Sequence, residues 1–126
     1  MTVLDASALL ALLHDEPGAE IVQRSLPNAT LGAANLAEVI GKLVDEDVDV
    51  ARLRELLAAA GVTVAPVLEQ DAELAGAMRA LPGGRSLSLG DRCCLALTVR
   101  STPPDVLTGD REWSNMDLPI TINQIR

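Results

Sequence analysis

Four carboxylates, Asp5, Glu38, Asp91 and Asp110, stand at points where a chain of alternating strands and helices could gather them. Asp5 directly follows an apolar run, in Leu4-Asp5-Ala6-Ser7. Glu38 comes three residues after Asn35, Asp91 three after Ser88, and Asp110 closes Thr108-Gly109-Asp110. Singly, each has an ordinary structural explanation. Asp5 can start a helix or hold a turn, and Asp110 can cap the turn that follows it. Glu38 and Asp91 have the spacing of a capping box with Asn35 and Ser88. Together they ask for more. In open α/β sheets ligands bind beyond the carboxyl ends of the strands, and four acids gathered there repel unless a cation or a proton neutralises them. Carboxylates without His or Cys partners are hard ligands, suited to Mg²⁺ or Mn²⁺ and not to zinc. Ser7, Asn35 and Thr108 lie beside them and can orient carboxylates and waters.

The elements needed to position these acids are legible as alternating patterns. Thr2 to Leu4, Ala29 to Gly32, Val62 to Val67, Asp105 to Thr108 and Ile120 to Ile122 read as short strands, the last at an edge. Ala6 to Leu13, Ala19 to Leu26, Leu36 to Val44, Ala51 to Ala60, Glu69 to Leu81 and Ser88 to Arg100 read as helices, and Asp110 to Asn115 as a helical turn. Apolar residues at 36, 39, 40, 43 and 44 carry the helical period after Asn35. There is no repeat and no linker long enough to divide the chain. The pattern predicts one α/β domain over residues 1–126, three-layered, around a mostly parallel sheet.

At 126 residues with 48% hydrophobic content, the chain can bury a core without staples. That core must be aliphatic, since Phe and Tyr are absent and Trp113 is the single Trp. The cysteines, Cys93 and Cys94, are neighbours on a predicted helix and point apart, so they read as reduced, buried small hydrophobes. Met1 to Leu13 has no basic segment and carries Asp5, which argues against a signal peptide. No apolar run approaches the length of a membrane span, and a cytoplasmic location with no membrane partner is expected. The net charge of −8 is unusual for a protein that binds nucleic acid through its general surface. The run Asp45, Glu46, Asp47, Asp49 reads as solubility charge; acids embedded in apolar sequence do not.

Other residues invite chemistry. His14, the only histidine, ends a helix beside Asp15 and Glu16 and reads as a solvated helix end. Trp113 reads as packing for the last turn in preference to a base-stacking platform. Arg85, Arg92 and Arg111 lie close in sequence to Asp91 or Asp110, where they can contact phosphates or form surface ion pairs.

In order and spacing, Val3-Leu-Asp5-Ala-Ser7-Ala-Leu, Asn35-Leu-Ala-Glu38-Val, Ser88-Leu-Gly-Asp91 and Leu107-Thr-Gly-Asp110 resemble the PIN domains. The likeness is nearest to the VapC-type toxins of bacterial type II toxin–antitoxin systems and runs from residue 3 to 113. It implies an α/β/α fold, hydrolysis of RNA phosphodiester bonds by an endoribonuclease, and an Mg²⁺ or Mn²⁺ cofactor. It also implies a cognate antitoxin, with a homodimer or a toxin–antitoxin hetero-oligomer. Carried over, Asp5, Glu38, Asp91 and Asp110 become the catalytic and metal-binding acids, with Ser7, Asn35 and Thr108 in support. Asp117 is a further acid that the family's pattern can include. Apolar residues of the early helices (Leu10, Leu13, Ile21 and Val22, or Ile40 and Leu43) are expected to offer a groove for an amphipathic antitoxin segment. A basic antitoxin side chain would then neutralise the acids in place of the metal.

Competing readings fit less well. A receiver-type phosphoacceptor domain also binds Mg²⁺ above a parallel sheet, but wants an early acidic pair and a late lysine; Lys42, the one lysine, lies in a helix. A haloacid-dehalogenase-type phosphatase wants Asp-x-Asp, and Asp5-Ala-Ser7 supplies only its first member. A PIN-like protein-binding module with weak catalysis is the remaining alternative, opposed by the four intact acids.

Overall fold

The computed structural model describes all 126 residues. Five strands form one sheet: β1 (Thr2–Leu4), β2 (Ala29–Gly32), β3 (Thr63–Ala65), β4 (Asp105–Thr108) and β5 (Thr121–Gln124). Their order is β3-β2-β1-β4-β5, and every pairing is parallel. The helices are α1 (Ala6–Leu13), α2 (Ala19–Ser25), α3 (Ala33–Asp45), α4 (Val50–Ala60), α5 (Glu69–Ala77) and α6 (Leu89–Val99). A final 3₁₀ turn spans Arg111–Asn115. No helix is long and apolar enough to cross a membrane.

Side chains alternate across the central strands with the period of two that a pleated strand imposes. Leu4, Leu31 and Leu107 enter one core with residues of α1, α3 and α4. Val3 and Val106 enter the other, with Leu95 and Cys94 of α6 and Trp113 of the last turn. Two apolar faces covered by separate helices make the three layers. The central strands are continuous apolar runs for this reason, as parallel strands buried on both faces are. Trp113 is wholly buried, so it packs as expected.

Most predicted bounds agree with the structure, and the differences have local causes. Ala19 to Leu26 is α-helical only to Ser25, because Pro27 tightens Leu26–Asn28 into a 3₁₀ turn. Glu69 to Leu81 likewise ends as a 3₁₀ turn, Met78–Ala80. Helix α3 begins at Ala33, before Asn35, since Gly32 leaves β2 in an extended conformation and serves as its N-cap. Asn35 and Glu38 therefore make no capping box.

The sheet order has a functional consequence. From β1 the chain moves outward through β2 and β3, then returns to place β4 on the opposite side of β1. The carboxyl ends of β1 and β4 thus flank the topological switch point, where the crossover loops part and leave a crevice.

Candidate active site

Asp5 sits at that switch point. Its backbone N–H donates to Leu107 O at 3.0 Å, tying it to β4. It occupies the N-cap position of α1, yet its side chain makes no capping bond. Instead Oδ2 accepts from Ser7 Oγ at 2.6 Å and from Thr108 Oγ1 at 2.9 Å. Both hydroxyls also accept a loop amide: Gly109 N–H reaches Ser7 Oγ at 2.9 Å and Asp110 N–H reaches Thr108 Oγ1 at 3.0 Å. Each hydroxyl has one proton, and a carboxylate oxygen can only accept, so both protons are turned to Oδ2 while the two hydroxyl oxygens lie 3.3 Å apart. Oδ1 is left without a side-chain donor.

Asp5 is only 3% exposed. Burial pushes its carboxyl up from 3.8 to about 6; the two hydroxyls oppose this, and the nearby Asp91 charge adds to it. Asp71, the other buried acid, is handled differently. Arg100 grips it with Nε at 2.9 and 3.1 Å and Nη2 at 3.0 Å. Asp71 is thus a neutralised staple between α5 and α6. Asp5 has no Lys, Arg or His within ion-pair distance.

The amino ends of α3 and α6 complete the site. Asn35 is fully buried, and its amide donates to Glu38 Oε1 at 2.7 Å and to Gly90 O at 3.1 Å. One side chain thereby fixes both the Glu38 carboxylate and the start of α6. A methyl group on Gly90 would run into that carboxylate, so Gly90 makes room for Glu38. Partial burial also holds the Glu38 carboxyl above its usual range; the Asn35 hydrogen bond opposes this and the Asp91 charge reinforces it. Asp91 forms a capping box with Ser88, accepting Ser88 N–H at 3.0 Å while its own N–H reaches Ser88 Oγ at 3.1 Å. Asp110 takes Glu112 N–H at 3.0 Å and caps the 3₁₀ turn. The ordinary explanations thus hold for these two side chains. Through Thr108 the Asp110 backbone is nonetheless one hydrogen bond from the group that holds Asp5.

In this conformation no three carboxylates close into a ligand set. The donor chemistry still fits a hard divalent cation: carboxylate oxygens only, the Asp91 charge felt by both Asp5 and Glu38, and a buried carboxyl that lacks a cation. Asp117 is exposed beyond the 3₁₀ turn.

The arginines divide. Arg85 is exposed and lines a shallow cavity of about 520 Å³ with Arg79. Arg111 donates to Arg126 O at 3.1 Å. Arg92 does not remain with them as a phosphate contact: it is 8% exposed, and its Nη1 donates to Ala75 O at 2.8 Å. One step along a helix turns a side chain about 100°, which carries Arg92 from the Asp91 face to α5. Cys94 is fully buried and Cys93 partly so, both unpaired. Burial raises both thiols, which suits packing and opposes nucleophilic chemistry. His14 Nε2 meets Glu46 Oε1 at 2.8 Å, joining the ends of α1 and α3 away from the acids. Replacing His14 by Ala should leave cleavage unchanged and cost at most about 1 kcal/mol, since such half-exposed pairs contribute little; parallel rate and melting measurements check both.

Gly90→Ala offers a sharper local test of Glu38. The added methyl displaces a flexible side-chain end, so the fold should melt within a few degrees of the parent while the RNA cleavage that the sequence resemblance implies falls about tenfold or more, the scale on which small misplacements near a reacting group act. Unchanged cleavage in a folded Gly90→Ala protein would remove Glu38 from the site.

A family model described as PIN domain matches residues 2–118. No curated protein matches the chain. Among solved structures, a toxin–antitoxin complex from Klebsiella pneumoniae has a chain similar in fold, with a TM-score of 0.77 at 17% identity, covering 100% of this chain and 98% of that one.

Proposed function

The chain belongs to the PIN-domain family, and on that premise we propose that it is a divalent-metal-dependent endoribonuclease serving as the toxin of a toxin–antitoxin pair. The observation that carries the reading is Asp5. A carboxyl buried to 3% exposure, with two hydroxyls directed onto one oxygen and no basic partner, is costly unless a cation uses it. Asp71 supplies the contrast, because a buried acid with a purely structural role carries its arginine with it.

In this reading Asp5, Asp91, Glu38 and Asp110 would hold Mg²⁺ or Mn²⁺, and the bound cation would supply a more acidic water and offset charge on the phosphate being cleaved. Ser7 and Thr108 keep Oδ2 of Asp5 oriented, leaving Oδ1 available. Asn35 holds Glu38 against the start of α6. Asp91 and Asp110 exchange their capping amides for the site at modest cost, since a cap contributes only about 1 kcal/mol.

The antitoxin partner is supported by the Klebsiella structure, which is a toxin–antitoxin complex, and by apolar surface. The groove expected from the early helices needs revision: Val22 and Leu43 belong to the core, and Leu10, Ile21 and Ile40 pack against it. A cavity of about 160 Å³ lies instead between the ends of α1 and α3 and the start of α4. Its rim includes Leu13, Val48 and Leu56, which are 37%, 47% and 51% exposed. An amphipathic antitoxin segment seated there would bury them.

The test is cleavage of single-stranded RNA by the purified protein, with Mn²⁺ and with EDTA, alone and with the product of the neighbouring upstream gene. Metal-dependent cleavage that the partner suppresses is expected. A protein that binds the partner but never cleaves RNA would be a binding module.

A further inference from the structure

We infer that Arg126 is a phosphate contact of this same site, gripping the RNA backbone beside the carboxylates; the inference rests on the nuclease reading above. Its Nη2 lies 3.2 Å from the point where a Cβ on Gly109 would stand, and Ser7 Oγ lies 3.6 Å from that point. The guanidinium and the hydroxyl that holds Asp5 therefore flank the same short loop at the end of β4. Nη1 donates to Pro17 O at 3.2 Å. No carboxylate lies within ion-pair distance of Arg126, and the residue is exposed.

The placement is enforced from several directions. Ile125 is 2% exposed, and its N–H donates to Thr108 O at 3.0 Å, extending the pairing of β4 with β5. Gly18 has φ +96°, and any side chain there would strike Ile125. Gly109 lacks the Cβ that would crowd the guanidinium. Arg111 clasps the Arg126 carbonyl at 3.1 Å. Arg111, expected to touch RNA itself, is in this structure a positioning residue for Arg126.

Charge supplies the reason. The chain carries −8 overall, so an RNA strand reaching the acids meets repulsion that local cations must offset. Arg100 is spent on Asp71 and Arg92 on Ala75 O. Arg126 is free of an acid and presents the planar fork that suits phosphate oxygens.

The experiment is steady-state cleavage of a single-stranded RNA oligonucleotide at several KCl concentrations by the wild type, Arg126→Gln and Arg126→Lys. Arg126→Gln should raise KM about tenfold, the worth of one charge-assisted contact, with kcat changed less than about twofold. Its dependence of log(kcat/KM) on log[salt] should be shallower by about 0.7, the single-strand value for one phosphate. Arg126→Lys should keep the wild-type slope and recover part of KM, and Gly109→Ala, which crowds the guanidinium, should behave as a milder Arg126→Gln. If Arg126→Gln keeps the parental KM and slope, or if Lys and Gln are equally impaired in kcat and melting temperature, Arg126 is a structural clasp and the phosphate contact falls while the nuclease reading stands. If the wild type cleaves no RNA, the nuclease reading fails and the contact with it.

Discussion

If the chain is the metal-dependent ribonuclease proposed above, Asp5→Asn and Asp91→Asn should each lower the rate of RNA cleavage by about a thousandfold or more, and Glu38→Gln and Asp110→Asn by about ten- to a thousandfold. The scale follows from losing several kcal/mol of transition-state stabilisation at 1.36 kcal/mol per decade. Asp5 and Asp91 rank first because Asp5 is buried at the switch point and the Asp91 charge is felt by both Asp5 and Glu38. Asp110 ranks lower because its carboxylate is engaged in capping the 3₁₀ turn. The losses do not add: Asp5→Asn with Asp91→Asn should be little slower than either alone, since ligands of one cation fail as a unit. Single and double variants compared under one set of turnover conditions check this. Fully additive losses would indicate independent roles.

The second large effect is on stability, and it reverses with metal. Asp5 has a folded-state value of about 6 against 3.8 unfolded. A carboxyl shifted upward stabilises the fold only while it is protonated, so its contribution is complete below about pH 3.8 and is lost as pH rises through 6. That rise corresponds to about 3 kcal/mol. Asp5→Asn should recover about 1–3 kcal/mol of metal-free stability near pH 7.5 and show no such recovery near pH 4. Mn²⁺ or Mg²⁺ should have the opposite effect on the wild type, adding about 2.7 kcal/mol at a hundredfold excess over its Kd. Because binding requires the ionised carboxylate, this stabilisation should fade below pH 6 and be absent in Asp5→Asn. Melting curves of wild type and Asp5→Asn with EDTA or Mn²⁺ at pH 4 and 7.5 give these comparisons. A wild-type melting temperature indifferent to millimolar Mn²⁺ at pH 7.5 would count directly against the site.

What could be read from the sequence was whatever is encoded locally. Leu4-Asp5-Ala6 announces a strand passing into a helix, and Ser88 to Asp91 announces a capping box that the structure contains. The alternation of apolar strands and amphipathic helices led to the three layers, because each pattern states which face is covered. Contacts made by long-range register were not legible. Asn35 looked like the start of a helix, yet the helix begins at Ala33 and Asn35 turns inward to bridge Glu38 and Gly90. Arg92 directly follows Asp91 and so belongs to a different helical face, but its partner there, Ala75 O, was not legible. Arg126 gave no signal at all, since its place beside Gly109 depends on parallel pairing of β5 with β4, which sets Ile125 against Thr108. The glycines at 18, 90 and 109 were the available clue, each standing where another part of the chain passes too closely for a side chain.

The central claim is that Asp5, Glu38, Asp91 and Asp110 share a divalent cation. Anomalous scattering at the manganese edge, from crystals of the wild-type protein grown with Mn²⁺ at pH 7.5, tests it most directly. An anomalous peak is expected beyond the carboxyl ends of β1 and β4, within about 2.0–2.4 Å of Asp5 Oδ1 and of at least one oxygen of Asp91, Glu38 or Asp110. A peak bound only to the exposed run from Asp45 to Asp49, or no peak at a Mn²⁺ concentration that supports RNA cleavage, would contradict it.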